Sequence, residues 1–505
     1  MTATLETLPL LSLVVLTPLA GAALVWLARS QRQARAIALG MMGVDLLLAL
    51  AVLARFDSAS AAFQLVERAV WIPTLNVHYL VGVDGISVLF LPLTAALFAG
   101  TVIASWTSVR TMPRLYYALV LLLASATLGI FVALDTLLFF LFWELTLIPL
   151  YFLVSLWGIG PHRRYAAVKY TMVMLVGGVP LLFGFLLLAF DQANVAGARI
   201  PDGLVFDYLQ LVATPLPVEL QYAVFLLLLV GFAVKAPVFP FHTWLPVVAM
   251  EGPAAITALL TGLKLGAYGI LRFAVPLAPQ AAHQLHWLLA GLGVVGILYG
   301  ALAALAQTNL RRMLAYSSIS HVGLVILGIS AFNAQGVQGA LFLLLNFTVV
   351  AGGLFLLTAF LHHRIGSTEA VSLGGAAQSM PLLASFYLLL GLAGMGVPLT
   401  SGFPAEHLIV IGTLQVHLGA GLAALFGAVL TAAYFLGLYR RAFLGPMSSA
   451  VVAAAVDLQP RELALAGILA ALVLLAGLYP AAVLELTRPA VEGWIAIISS
   501  AAPGR

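Results

Sequence analysis

About fourteen apolar stretches, most of them about twenty residues long and set off by polar or Gly/Pro-rich punctuation, occupy most of this 505-residue chain. A helix rises about 1.5 Å per residue, so runs of about 20 residues match a ~30 Å hydrocarbon core. The runs fall at 8–28, 36–54, 84–105, 115–134, 136–156, 166–190, 221–241, 253–274, 285–306, 313–332, 337–361, 381–411, 417–439 and 463–483. They are continuous rather than alternating with period two, which excludes a β-barrel. Only 8% of residues are charged, against roughly 25% in soluble domains. That is too few to coat a water-facing surface, and it excludes a soluble globule, a disordered chain and a nucleic-acid binder. The expected fold is an all-α polytopic membrane protein.

The few basic residues carry topology. With fourteen spans both termini share a side, and loops after odd-numbered spans hold Arg29, Arg32, Arg35, Arg110, Arg114, Arg163, Arg164, Lys169, Arg311, Arg312, Arg364, Arg440, Arg441 and Arg461. The other side holds Arg55, Arg68, Arg199, Arg488 and Arg505. The positive-inside rule therefore places both termini outside the cytoplasm. Met1–Glu6 lacks a basic segment before its apolar run, so the first run is expected to be a transmembrane helix rather than a cleaved signal. No cysteine is present, which removes disulfides, thiolate metal sites and iron–sulfur ligation by this chain. The ten histidines show no H-x-x-x-H or H-E-x-x-H spacing, and no metal site is expected.

Two of the three lysines, Lys235 and Lys264, fall inside apolar runs. A charge at the bilayer centre costs at least ~2.5–3.5 kcal/mol and is functional by default. Glu144 lies nine residues beyond Asp135 and Lys264 eleven beyond Pro253, placing them about 13 and 16 Å deep. Glu406 lies in the 381–411 run. The bland alternative makes Glu144 and Lys235 a packing ion pair, and His242 and His321 satisfied core histidines. Asp45 is expected to be structural or at the lipid edge, and Arg272 to snorkel to an interface. Asp84 and Glu251 lie near span ends, where capping and function are equally open, and His283, His286, His362 and His363 are expected in loops. Burial disfavours the charged form of a group and an opposite charge favours it. A buried Glu–Lys pair that opens therefore changes its proton affinity, and such groups can relay protons.

Two runs also carry proline where a helix should continue. In the segment from Gly231 to Pro246, Pro237 and Pro240 are expected to free the carbonyls of Ala233 and Ala236, beside Lys235. In the segment from Gly394 to Glu406, Pro398 and Pro404 act alike, directly before the acid. Non-helical backbone at membrane depth survives only when buried or lining a hydrated cavity. The two breaks are five spans apart, an odd number, so their units are inverted. Paired broken segments of this kind point to an inverted-repeat transporter.

At these residues the chain resembles a known family. The matching stretches are Val83-Asp-Gly-Ile-Ser87, Leu138-Phe-Phe-Leu-Phe-Trp-Glu-Leu-Thr-Leu-Ile-Pro149, Ala233-Val-Lys-Ala-Pro237, Phe239-Pro-Phe-His-Thr-Trp-Leu-Pro246, Leu263-Lys-Leu-Gly-Ala-Tyr-Gly269, Leu314-Ala-Tyr-Ser-Ser-Ile-Ser-His-Val-Gly323 and Tyr439-Arg-Arg-Ala-Phe-Leu-Gly-Pro446. They resemble, in family order, the antiporter-like, Mrp-related membrane subunits of respiratory complex I, and within them the M type of bacterial NADH:quinone oxidoreductase. The resemblance implies about 14 transmembrane helices, two inverted five-helix repeats and interrupted helices 7 and 12. The corresponding units are residues 1–110 (helices 1–3), 111–280 (first repeat), 281–445 (second repeat) and 446–505 (helix 14 with a short tail). It implies a gating ion pair at Glu144 and Lys235, a central lysine at Lys264, an axial histidine at His321 and an M-type acid at Glu406. It also implies that the L-type lateral helix is missing.

The chain departs from the family pattern at Val247 and Ala249, where D-A-H is usual after W-L-P, and at Phe347, where a relay histidine is usual. Ala405 replaces a glycine and Asn309 an acid. The function implied is a proton-translocating subunit of a complex I-type NADH:quinone oxidoreductase in the bacterial inner membrane, a translocase part without redox chemistry of its own. NADH, FMN, iron–sulfur clusters and quinone are expected only in partner subunits. Its own partners would be neighbouring antiporter-like subunits, the lipid bilayer, protons and ordered water, with no nucleic acid. The rivals are a cation/proton (Mrp-like) antiporter subunit, an M-type module of a hydrogenase or bicarbonate-uptake complex, and a non-conducting structural subunit.

Overall fold

The computed structural model describes residues 8–501, so Met1–Glu6 and Arg505 lie outside the described residues. Among the described residues eleven helices are long and apolar enough to cross a membrane, or twelve if the sharply bent pair Ala370–Ser379 and Pro381–Gly394 counts as one span. Two shorter apolar helices, Leu10–Val25 and Phe90–Ala104, join them. Side-chain caps set many starts. Ser30 and Gln33 form a reciprocal capping box before Gln31–Arg55, and Asp135 accepts from Leu137 and Leu138 N–H at 3.0 Å before Thr136. Each cap satisfies amides that a helix start leaves unpaired.

Burial sorts the helices into two shells. Pro113–Val132, Ala254–Leu277, Leu310–Ser330 and Ala334–Ile365 are 89–94% buried over their apolar windows, whereas Gln31–Arg55 and Pro460–Leu478 are only 28% and 33% buried. The outer helices present Leu47, Val176 and Leu475 outward, each more than 60% exposed. A helix that is apolar all round needs hydrocarbon on its outer side. The inner shell carries Lys264, His321 and Phe347.

Contacts between loops agree with the charge alternation. Arg35 reaches the carbonyl of Val109, and His162 N–H donates to Glu251. Arg311 donates to the carbonyl of Gly252 and Arg364 to the carbonyl of Asp457. A cavity lined by Val109, Trp157, Pro253, His362 and His363 joins these groups at one end of the bundle. His362 and His363 occupy the last turn of Ala334–Ile365, His283 the short helix Pro279–Gln284, and His286 opens His286–Leu305. None of the four is in a loop, contrary to expectation.

Two elements were not anticipated. Gln64–Ile72 and Val77–Val83 form an antiparallel hairpin. Its Glu67 carboxylate accepts from Leu11 N–H at 2.8 Å and Ser12 N–H at 3.1 Å, capping the first helix. The segment expected to be a short tail after Tyr479 instead forms the helix Ala481–Ala501. It buries Val491, Trp494 and Ile498, and the Trp494 indole donates to the carbonyl of Leu271 at 2.7 Å.

The first break matches its prolines in place but not in detail. The helix Val218–Lys235 ends, and the chain resumes in the turn Phe241–Thr243 and the helix Trp244–Glu251. The Ala233 carbonyl is not left free: it accepts from Val238 N–H at 3.0 Å. The Trp244 indole also donates to the Val234 carbonyl, at 2.9 Å. The second break lies between Pro381–Gly394 and Gly402–Val416, with Pro398 inside the gap. Pro404 sits in the first turn of Gly402–Val416, where a missing N–H costs little; it does not interrupt a helix.

A third break has no proline. Ala254–Gly262 ends before Leu263 and Lys264, then Leu265–Gly269 follows, and a single π-turn spans Ile270–Ala274. Arg272 sits in that turn. It does not snorkel: it is 4% exposed and makes a two-pronged contact with the Asp84 carboxylate, one arm at 2.8 Å. Asp84 also accepts from Ile86 and Ser87 N–H at 3.1 Å, so it caps as well as pairs. Asp45 is fully buried rather than at the lipid edge, and both its oxygens lack a hydrogen-bond partner.

Glycine at 266 is required by close approach. A Cβ there would lie 2.3 Å from Ala236 N and from the Phe232 carbonyl oxygen, both backbone atoms that cannot swing aside. Gly266→Ala is expected to cost about 1–3 kcal/mol by overpacking. A fall in the melting temperature of the purified assembly checks it, and an unchanged one contradicts it.

Candidate proton pathway

The first break positions Lys235 at the C-terminal end of its helix, facing the helix Thr136–Leu145. Its Nζ donates to the Trp143 carbonyl at 3.0 Å and the Thr146 hydroxyl at 2.8 Å, and lies 4.0 Å from the centre of the Trp143 ring. These contacts satisfy an ammonium without a carboxylate. The expected Glu144–Lys235 ion pair is therefore not closed. The Glu144 Oε1 is buried without a hydrogen-bond partner. The missing Cβ of Gly178 makes room for it: a methyl there would sit 2.3 Å from Oε1. The Tyr170 hydroxyl is likewise buried without a hydrogen-bond partner.

A cavity of about 30 Å³ is lined by Lys235 and Thr146 and also by Leu263 and Leu265, the residues flanking Lys264. A water needs roughly 10–15 Å³ by the same measure, so about two fit. Lys264 occupies the third break. Its Nζ donates to the Ser318 hydroxyl and lies 5.2 Å from the centre of the Phe347 ring. The carbonyl of Gly262, which the break releases, is taken by the Thr348 hydroxyl at 3.2 Å.

Phe347 also packs edge-on against His321, ring centres 5.8 Å apart. His321 Nδ1 lies 2.7 Å from the Ser317 carbonyl, and Nε2 lies 2.8 Å from the Gly394 carbonyl. The second break leaves that Gly394 oxygen available. Carbonyls only accept, so the geometry suits an imidazolium with a proton on both nitrogens. Its counter-charge is at hand: Glu406 Oε1 is 3.7 Å from Nε2, with its side chain 13% exposed. Gly396, at φ +65°, leaves room for this carboxylate, since a Cβ there would meet Glu406 Oε2 at 2.5 Å. Beyond it, the Tyr434 hydroxyl donates to the Ser317 hydroxyl at 2.7 Å.

A profile described as "NADH:quinone oxidoreductase/Mrp antiporter, TM" matches residues 133–431, which include every residue of this series up to Glu406. NADH-quinone oxidoreductase subunit M of Rhodobacter capsulatus is 37% identical over 493 residues, covering 95% of both chains. The chain belongs to this family. Among solved structures, respiratory complex I from Thermus thermophilus with bound NADH contains a chain that superposes with a TM-score of 0.87 at 32% identity, covering 97% of this chain and 99% of that one. The Mrp complex from Dietzia sp. DQ12-45-1b matches in fold, with a TM-score of 0.84 at 24% identity over 98% of this chain and 100% of that one. The protein is a multi-pass membrane subunit of the NADH:quinone oxidoreductase/Mrp antiporter family.

Within this family member, the positions that depart from the usual pattern are apolar or capping. Phe347 is buried between Lys264 and His321. Ala249 is fully buried in the helix Trp244–Glu251. Asn309 caps Leu310–Ser330 by accepting from Arg311 N–H at 2.9 Å, and donates to Glu369 at 2.9 Å, which an acid at 309 could not do. His242 pairs with the Tyr299 hydroxyl at 3.1 Å and leaves Nδ1 without a partner. Sequence inspection missed Thr146, Tyr170, Ser317, Ser318 and Tyr434. Ser317 and Ser318 lie four and three positions before His321, helical spacing that puts them on its face.

Proposed function

We propose that this chain is a proton-translocating antiporter-like subunit of a complex I-type NADH:quinone oxidoreductase, a translocase part without redox chemistry of its own. What carries the reading is the series of buried protonatable groups: Lys235 on Thr146 and Lys264 on Ser318, each at a helix break, and His321, within an unbroken helix, reaching the Gly394 carbonyl at the second break beside Glu406. Lys235 moves toward Glu144 to close the gating pair. When the pair opens, the proton of Lys235 passes through the small cavity to Lys264. From there it travels by Ser318 and Ser317, around the ring of Phe347, to His321 and Glu406. NADH, FMN, iron–sulfur clusters and quinone reside in partner subunits, and the arginine-rich end of the bundle faces the cytoplasm.

Glu406→Gln keeps the size of the side chain and removes its proton exchange. Reconstituted with its complex in vesicles, this variant is expected to move fewer protons per NADH oxidised, with quinone reduction retained. Unchanged proton movement would sink the assignment of Glu406. Transport that depends on sodium and proceeds without NADH oxidation would instead favour the cation/proton antiporter reading.

A further inference from the structure

A crevice opens among the helices Gln31–Arg55, Phe90–Ala104, Ala334–Ile365 and Pro460–Leu478. Its larger part is about 380 Å³ and continues into a second part of about 170 Å³. Leu46, Leu93, Ala96, Val349, Ile468 and Leu472 line both parts, so they form one trough. Ile468 is 57% exposed, which opens the trough sideways to the outside of the bundle. The walls are hydrocarbon with few exceptions. Thr348 has its hydroxyl committed to Gly262, and Asn346 and Ser401 at one end are hydrogen-bonded to each other at 2.5 Å.

The remaining polar residue is Arg461, at the opposite end. Its Nε is buried without a partner. The nearest acid, Glu462, is 3.8 Å from its guanidinium, but that carboxylate is already held by Arg364 and by Gln459 N–H. The Arg461 side chain is nevertheless 33% exposed, so its terminal N–H groups have binding capacity left for an anion from outside the chain.

We propose that this trough holds one phospholipid of the surrounding bilayer, with an acyl chain along the apolar walls and the headgroup phosphate on Arg461. The chemistry selects this occupant. A guanidinium matches a phosphate with paired N–H donors. A polypeptide segment laid in the trough would bring backbone N–H and C=O groups against walls that offer them nothing. An acyl chain has no such groups. The inner end of the trough is formed by Asn346 and Ser401, and Ser401 immediately precedes the helix that carries Glu406. A lipid chain in place would close that approach to bulk water from the side of the bilayer.

The test uses the intact complex in vesicles of phosphatidylglycerol bearing a diazirine at the end of one acyl chain, with labelled peptides mapped by mass spectrometry. Labelling is expected to concentrate on Phe90–Ala104 and Pro460–Leu478 over Arg163–Val195, although the latter exposes Met172, Val176 and Phe183 by more than half each. Ala96→Trp, which fills the trough, is expected to reduce it about fivefold, the equivalent of about 1 kcal/mol. Ile468→Trp blocks the mouth from an exposed position and is the second blocking variant should Ala96→Trp not fold. Arg461→Gln is expected to lower labelling as well, by removing the phosphate contact. Even labelling of all outer helices would overturn the proposal, as would labelling that none of these variants changes. A neighbouring subunit or a membrane quinone found cross-linked in the trough would overturn it too.

Discussion

Replacing Lys264 by alanine is expected to lower the proton translocation of the assembled complex by about tenfold or more, a barrier change of about 1.4 kcal/mol or greater. Lys264 is the one amine between the Lys235 cavity and the His321–Glu406 pair, and its Nζ reaches Ser318, on the helix that carries His321. Alanine leaves that hydroxyl facing an apolar gap beside Phe347. The substitution also removes a buried charge, whose insertion cost is at least ~2.5–3.5 kcal/mol, so assembly should not suffer. Lys264→Arg separates the roles of charge and proton exchange. A guanidinium keeps the charge but does not release its proton in proteins, so this variant should assemble and also fail to pump. The measurement is the number of protons taken into vesicles per NADH oxidised. Full pumping by the alanine variant would remove Lys264 from the relay.

Arg272→Ala is the largest expected loss of stability. The Arg272–Asp84 pair is 5% exposed on both sides, and cutting one partner from a buried pair costs about 3–5 kcal/mol because the other charge is stranded. The position magnifies this. Asp84 also holds the turn leading into Phe90–Ala104 through Ile86 and Ser87 N–H, while Arg272 Nε lies 3.4 Å from the Tyr268 hydroxyl. Adding Asp84→Asn to Arg272→Ala should recover part of the loss, since a neutral amide costs less to bury than an unpaired carboxylate. Thermal unfolding of the purified assembly reads both. Equal melting temperatures for wild type and Arg272→Ala would show that the pair contributes nothing to the fold.

Where each feature lay in the chain decided whether it could be read there. The apolar runs are long and uninterrupted, so the spans were visible, and Pro237 and Pro398 marked two gaps. Pro404 misled because proline in a first helical turn and proline in a helix interior look alike without knowledge of the start. The break at Leu263–Lys264 has no proline. Just after it, Gly266 and Gly269 allow neighbouring backbone and Phe232 to press close, and such tertiary contacts leave only a glycine behind in the sequence. Arg272 was misplaced for a related reason: its partner Asp84 is 188 residues away. Of the residues expected to carry charge, Glu144 and His321 lie within helices, whereas Lys235 and Lys264 lie at breaks. Their hydroxyl partners, Thr146 and Ser318, were hidden because serine and threonine are common in membrane helices and ordinarily bond to their own backbone.

The missing side chain at Gly266 bears on more than packing. Backbone rests directly on backbone there: the turn after Lys264 lies against the Phe232 carbonyl and the Ala236 amide, on either side of Lys235. At that contact no flexible side chain stands between the two lysine-bearing turns to absorb a displacement. Any tilt of the Lys235 turn toward Glu144 must therefore push or release the Lys264 turn in the same stroke, so the two sites behave as the arms of one lever.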